Sequence, residues 1–324
     1  MKMGITLVAA LLGAGAALAN DSVAETAAGG LVLARTADID MVSEDLFVSA
    51  AEVRVRYVFR NRTAKPVRAT IAFPMPDRDL EAENYSDVAL PDEFVTRVDG
   101  RPVAMQVERK ALLDGVDWTK RLQGLGIPVA GVSGHPILDS ISEAYLRLPK
   151  PQQAELVRTG LFGTEGEDAI PRWTVRETWH WDQVFPTGRD LAAEHRYTPG
   201  TGASVGTGLT MAAFRNSPDG RAMLRHYCVD GGFLAGVDRL ARRAGGDYPT
   251  LPEQRIGYVL KTGANWRSPI RDFRLVVDKG APDNLVSFCG TGVRKISPTR
   301  FEMRRRNWRP DSDLKILIVG PAGG

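Results

Sequence analysis

The chain has 324 residues, with 42 Lys and Arg against 39 Asp and Glu, a formal net charge of +3 and 43% apolar residues. That balance excludes wholesale disorder and argues against a general nucleic-acid or membrane-surface binder, since such binders carry a marked basic excess.

The first residues read as an export leader. Lys2 is the charged start, Ile5 to Leu18 is a short apolar run, and Ala17-Leu18-Ala19 is a small-x-small cleavage site. The run is too short for a comfortable membrane span, and no cysteine follows the cleavage site to carry a lipid. Residues 1–19 are therefore set apart as a signal peptide. The mature chain is expected in the periplasm or outside the cell, with no transmembrane segment after leader removal. Its length exceeds one ordinary core and predicts two domains, 20–165 and 166–324.

From Leu31 to Val48 an untidy alternation predicts one or two strands. Glu52 to Pro76, EVRVRYVFRNRTAKPVRATIAFPMP, is far cleaner: Val53, Val55, Tyr57 and Phe59 oppose Arg54, Arg56 and Arg60, and after a polar break Val67, Ala69, Ile71 and Phe73 oppose Arg68 and Thr70. Period two of this quality predicts two half-buried antiparallel strands joined by a short loop, stopped by Pro74 and Pro76. Asp77, Asp79, Glu81 and Glu83 follow. Their spacing is that of alternating calcium ligands, but the glycine and final glutamate of such loops are absent, so a solvated acidic edge is the simpler reading. Asp99-Gly100 between two apolar runs predicts a tight hairpin.

Residues 114–135 read as surface loop with a helical turn near Trp118–Leu122. Between Asp139 and Leu161 the period lengthens to about 3.6 and predicts a short helix pair, with Pro151 at a first turn and Gly160 near the end. Ser217-Pro218-Asp219 starts a further helical stretch, and Phe233, Val237, Leu240 and Ala241 share a helix face that ends at Gly245-Gly246. Strands dominate thereafter: Ile256–Lys261, Phe273–Asp278, Leu285–Cys289, Arg300–Arg305 and Leu314–Val319. The fold class expected is mainly β, two antiparallel β-sandwich domains with a few short helices.

Cys228 and Cys289 are the only cysteines. In an oxidising compartment an even pair predicts a disulfide, here joining the helical insertion to the strand Leu285–Cys289. The rival, a free catalytic thiol, needs a nearby base and a reducing compartment.

Gly202-Ala203-Ser204-Val205-Gly206 has the letters of a nucleophile elbow, but its flanking glycines predict a loop where the elbow needs a strand and a helix. His135, His180, His195 and His226 have no metal-ligand spacing, so neither metal nor cofactor is expected. His180 and His195 could meet across adjacent strands. In WTVRETWHW, Trp173, Val175, Glu177, Trp179 and Trp181 alternate with Thr174, Arg176, Thr178 and His180, so the tryptophans either line a binding platform or fill a core. Arg294 to Arg309 is strongly basic and suits an anionic envelope surface or an ordinary solvated strand face.

The stretches NDSVAETAAGGLVL, RVRYVFRNRTAKPVRATIAFPMPD, WDQVFPTGRDLAAEHRYTPGTG, YVLKTGANWRSPIRDFRLVVDKG and VSFCGTGVRKISPTRFEM together resemble, in collinear order over the mature chain, the bacterial family called domain of unknown function 4424. That resemblance implies an exported bacterial protein of unassigned activity and supplies no catalytic residues. The YVFRN…IAFPMP part also resembles the vault and inter-alpha-trypsin domain, which implies a β-sandwich with an interaction role; the adhesion-type metal site that accompanies that domain elsewhere is absent here.

The function expected is thus a non-enzymatic periplasmic binding or scaffold protein without cofactor, its partner an envelope protein or glycan. The candidate binding residues are Trp173, Trp179, Trp181, His180, His195 and Trp266. A carbohydrate-binding module using Trp179, Trp181 and Trp266 is its more specific form. The alternative is an envelope hydrolase assembled from distant residues such as His180, His195 and an acidic partner.

Overall fold

The computed structural model describes residues 21–27, 30–81, 94–130, 137–164, 166, 169–246 and 249–322. The leader expected over 1–19, Glu83 and His135 lie outside the described residues.

In chain order the elements are β1 (Ser22–Ala27), β2 (Gly30–Ala34), β3 (Ile39–Val48), β4 (Val53–Asn61), β5 (Val67–Pro74), β6 (Arg78–Asp79), β7 (Val95–Val98), β8 (Arg101–Val103), β9 (Gln106–Leu113) and β10 (Val116–Asp117). Three short helices follow, α1 (Thr119–Gly124), α2 (Ile137–Leu146) and α3 (Lys150–Arg158), then β11 (Thr174–Phe185), β12 (Asp190–Tyr197) and β13 (Thr201–Ser204). A helical insertion, α4 (Ala212–Asn216), α5 (Pro218–His226) and α6 (Gly231–Ala244), precedes β14 (Glu253–Tyr258), β15 (Ile270–Asp278), β16 (Leu285–Phe288), β17 (Arg294–Lys295), β18 (Arg300–Trp308) and β19 (Leu314–Val319).

The protein is mainly β, as the period-two patterning predicts. Its strands form three sheets: one of seven strands in the order β10-β9-β11-β5-β1-β2 with β6 beside β11, one of eight in the order β17-β18-β15-β3-β4-β12-β7-β8, and one of four in the order β13-β14-β19-β16. Pairing is antiparallel among the described strands except between β3 and β15, which run parallel. One core gathers residues of all three sheets, including Val55, Tyr57 and Phe59 of β4, Ile71 and Phe73 of β5, Trp181 of β11, and Ile256, Tyr258 and Ile316 of the small sheet.

Two expectations about connectivity are corrected. β4 and β5 are both strands with the predicted inward faces, but they do not pair with each other. β4 lies between β3 and β12, while β5 lies between β1 and β11, so the chain crosses from one sheet to the other over 62–66. Alternation records only that one face is buried, and two such faces can meet across a sandwich as well as side by side. Asn61 fastens the crossing: its Nδ2 donates to Lys65 O at 2.8 Å and Phe185 O at 3.0 Å, and its Oδ1 accepts from Thr63 N at 2.8 Å. Nor do the spans 20–165 and 166–324 hold separate sheets. β11 sits between β9 and β5, β12 between β4 and β7, and β15 is joined through β3.

Local signals fared better. Asp99 and Gly100 both take positive φ, 48° and 78°, in the β7–β8 hairpin, the backbone that a type I′ turn demands. Ser217 Oγ accepts from Gly220 N at 3.0 Å and caps α5. Helices α1 to α3 cover an end of the seven-stranded sheet, where Tyr145, Leu156, Phe162 and Trp173 form a second core. The helical insertion covers the other face of β19, whose Leu317 and Val319 meet Phe233, Val237 and Leu240 of α6. The Cys228–Cys289 disulfide is formed, with Cα atoms 5.1 Å apart. Among the described residues no helix is long and apolar enough to cross a membrane.

Candidate functional site

The residues predicted from sequence divide between interior and surface. Trp173, Trp181 and Trp266 are 0%, 4% and 2% exposed. Trp266 packs on Phe59 with ring centroids 4.5 Å apart, and its Nε1 donates to Asp21 O at 2.7 Å. These rings fill cores and present no face to a ligand, which corrects their part in the platform. Trp179 is half-buried, stacked on Phe94 at 5.0 Å and donating to Glu177 Oε1 at 2.8 Å, so one of its faces is taken. The odd-numbered positions of WTVRETWHW point inward because that face of β11 is covered by core residues, the second core over Trp173 and Val175 and the first over Trp181.

His180 and His195 do not meet, because β11 and β12 belong to different sheets. His195 instead joins an acidic partner that sequence reading missed. Its Nε2 lies 3.0 Å and 3.2 Å from the two carboxylate oxygens of Asp21, and its Nδ1 lies 2.8 Å from Thr96 Oγ1. Acid, imidazole and hydroxyl are thus connected as in a hydrolytic triad, but His195 and Asp21 are 0% exposed and Thr96 2%. Phe73, Phe94, Tyr57 and Trp181 ring the imidazole at 5.0 to 5.8 Å. No substrate reaches a hydroxyl so enclosed, and the chain of bonds works as polar cement between β1, β7 and β12. Beside it the Tyr57 and Tyr258 hydroxyls are 2.9 Å apart, and burial pushes both phenols well above their ordinary range. Ser204 ends β13 with its Oγ donating to Gly206 O, with no helix directly after it. Asp77 and Glu81 are engaged by Arg176 and Arg172.

What the interior lacks, the outer face of the eight-stranded sheet supplies. Two basins of about 530 and 480 Å³ lie on it and share Glu52 and Glu194 as common wall. Cross-strand partners share a face, and register sets Arg274, Asp45, Arg56, Glu194 and Arg97 in one row across five strands, with Arg304 continuing it on a sixth. The neighbouring row runs from Glu302 through Val276, Phe47 and Arg54 to Arg196. Phe47 floors the larger basin, and the guanidinium carbons of Arg54 and Arg300 stand 5.3 and 5.6 Å from its ring centroid.

The commitments of these charges differ. Glu302, 5% exposed, accepts from Arg274 at 2.8 Å, Arg304 at 2.9 Å and Arg294 at 3.0 Å. Glu52 pairs with Arg196 at 2.6 Å and Arg54 at 3.8 Å. Arg56, by contrast, is exposed and, among the described residues, has no carboxylate within 4 Å; Arg97 has only the Gly100 carbonyl. Six arginines and three carboxylates line the two basins. Most of the basic stretch that sequence reading singled out is tied down at its edge: Arg300 holds Asp278, Arg305 holds Thr291, and Arg309 holds two backbone carbonyls. Arg56 on β4 and Arg97 on β7 are brought beside it only by the strand order.

Hydrogen bonds from Arg304 and Arg274, then Arg294, hold the Glu302 carboxyl at about 2, against an ordinary 4.5. A carboxyl depressed on folding contributes stability that is full above its unfolded value and is lost as pH falls toward the folded one. Urea unfolding between pH 5 and 2 should therefore show a shallower acid loss for Glu302→Gln than for the parent. Parallel acid limbs for the two would show that the three guanidinia gain nothing from this carboxylate.

No curated protein matches the sequence. Among solved structures, a proposed nutrient binding protein of Legionella pneumophila is similar with a TM-score of 0.44 at 17% identity, over 92% of this chain and 72% of that one. An M1 zinc metallopeptidase of Deinococcus radiodurans gives 0.27 at 10% identity, over 89% of this chain and 44% of that one. Neither likeness is close enough to bear on what this chain binds. The family model for the domain of unknown function DUF4424 matches residues 19–317, and the chain belongs to that family.

Proposed function

We propose that the mature chain is an exported, non-enzymatic binding protein of the periplasm, and that its binding face is the outer surface of the eight-stranded sheet, selective for anionic ligands. The observation that carries this reading is the larger basin: an aromatic floor at Phe47 under two guanidinia, beside the uncommitted Arg56. Flat, arginine-lined and open, such a surface suits an extended ligand better than a small enclosed one. The enclosure of the Asp21–His195–Thr96 chain weighs against the hydrolase alternative. Export is supported by the leader-like Met1–Ala19 segment and by a cysteine pair joined as an oxidising compartment permits.

The test is affinity of the purified mature protein for carboxylated, sulfated and phosphorylated polymers against uncharged dextran, at low and physiological salt. The anionic polymers should bind with salt-sensitive affinity, and Arg54→Glu/Arg56→Glu should lower that affinity at least tenfold with an unchanged unfolding curve. Failure of every anionic polymer to exceed dextran would overturn the reading.

A further inference from the structure

We infer that the ligand of this face is an acidic polysaccharide carrying one carboxylate per disaccharide repeat, laid across the strands. The inference rests on the anion-binding reading above and adds a spacing rule to it. Along the central row Arg274 is already engaged, by Asp45 at 3.1 Å and by Glu302 at 2.8 Å; beyond this pair lie Arg56, Glu194 and Arg97, one residue per strand, with no ion pair among them in the described residues. Adjacent strands lie about 4.8 Å apart, so Arg56 and Arg97, two strands apart, stand about 10 Å from each other. All five residues of the row border the two basins, and Glu194 borders both.

A polyanion with a charge on every unit would set a charge against Glu194 between the two that meet Arg56 and Arg97. Like charges brought together in this way are repelled and lose the pairing that an arginine would offer. A repeat of two sugars spans a distance comparable to two strands. One carboxylate per repeat would therefore meet Arg56 and Arg97 in turn, while the neutral sugar between them passes over Glu194. Arg56 is the anchor expected to matter most, because it stands mid-row and has no carboxylate of its own within 4 Å among the described residues. Phe47, Val276 and the exposed Ile296 give the C–H faces of the neutral sugars an apolar strip beside the row. Glu194 acts as a filter: it contributes little attraction and rejects dense charge.

The experiment compares two oligosaccharides of equal length and the same acidic group. Hyaluronan octasaccharide carries a carboxylate on alternate sugars, and octagalacturonate on every sugar. Calorimetric titration of the mature protein should give hyaluronan the higher affinity by about tenfold or more. Arg56→Gln should lower hyaluronan affinity about tenfold. Glu194→Gln should raise octagalacturonate affinity severalfold and leave hyaluronan within twofold. Both positions are on the open face, and a thermal unfolding curve verifies that each variant is folded. Equal or better binding of octagalacturonate, polyglutamate or single-stranded DNA would overturn the spacing rule while leaving an anion-binding face. Binding of neither oligosaccharide nor any other polyanion would overturn both. Hyaluronan binding that survives Arg56→Gln unchanged would place the ligand off this row and overturn the inference.

Discussion

Replacing His195 by alanine is expected to cost about 3–5 kcal/mol of folding stability at neutral pH, the range for removing one partner of a buried pair. The imidazole is wholly buried and is the side-chain partner of both Asp21 and Thr96. Without it the Asp21 carboxylate would sit in the core, its other link there being the Trp266 indole on its backbone oxygen. Burial already pushes the Asp21 carboxyl above its usual 3.8, with His195 opposing that rise. An acid whose folded value is raised favours the folded state fully below its unfolded value, and loses that contribution as pH climbs through the folded one. Taking away the opposing imidazole raises the folded value further. The stability loss of His195→Ala should therefore grow from pH 4 to pH 7. Asp21→Asn should cost less, because an amide keeps a hydrogen-bond acceptor and buries no charge. In the Asp21→Asn background His195→Ala should lose at least 1 kcal/mol less than in the parent, the coupling expected of contacting residues. Urea unfolding of the four proteins at both pH values measures all of this. A loss below about 1 kcal/mol, or one indifferent to pH and to Asp21→Asn, would mean that the pair is no charge-bearing cement.

How much of this was legible in the sequence depends on whether the signal is local. The DG turn, the Ser217 cap, the α6 face and the cysteine pair each depend on a few neighbouring residues and came out as read. Pairing is a long-range property, and there reading failed. Nothing in the alternation of Glu52–Pro76 distinguishes a hairpin from a crossing between sheets, and the polar break Asn61–Lys65 suits either. The platform failed for a related reason. Tryptophans at alternate positions fit a binding face or a core equally well, and only the residues from distant strands and helices packed on that face of β11 decide for the core. Asp21 escaped attention because it lies just past the expected leader, where chain ends are ordinarily loose. Here it is pinned by His195 and Trp266 from strand and loop far along the chain.

The arginine face shows the same divide within single strands. Arg54 and Arg56 were visible as the polar side of β4, and Glu194 as an acid between Ala193 and His195, but their meaning lies in the order β15-β3-β4-β12-β7. That order stacks one inward set, Tyr57 with His195 and Phe73, against one outward set, Arg56 with Asp45 and Glu194. A one-residue slip of β12 would exchange the two sets and put Glu194 into the aromatic core. The cement inside thus fixes the register that spaces the charges outside, and the His195→Ala variant, if it folds with β12 misplaced, should lose anion binding although His195 touches no ligand.

Reduction of the disulfide, or Cys228→Ser/Cys289→Ser, is expected to remove roughly 4 kcal/mol, the chain-entropy value for closing a loop across 61 residues. The bridge joins the turn after α5 to the end of β16, at the margin of the four-stranded sheet. Other contacts hold the same place: Ser287 Oγ donates to Tyr227 O at 2.9 Å, and Leu285 lies so close to Gly236 of α6 that an added Cβ would come within 2.8 Å of it. The third core, with Val237, Leu240, Leu317 and Val319, lies beneath them. These contacts belong to the folded state and survive reduction, whereas the loop constraint acts on the unfolded one. The reduced protein should therefore keep its circular dichroism and its anion affinity while its urea midpoint falls, with the slope reporting a more expanded unfolded chain. Gly236→Ala should do the opposite, disturbing the native contact and lowering stability with the bridge intact. If reduction instead lost the helical signal before the sheet unfolded, the insertion would depend on the bridge for its native seat, and the entropic account would give way to a local one.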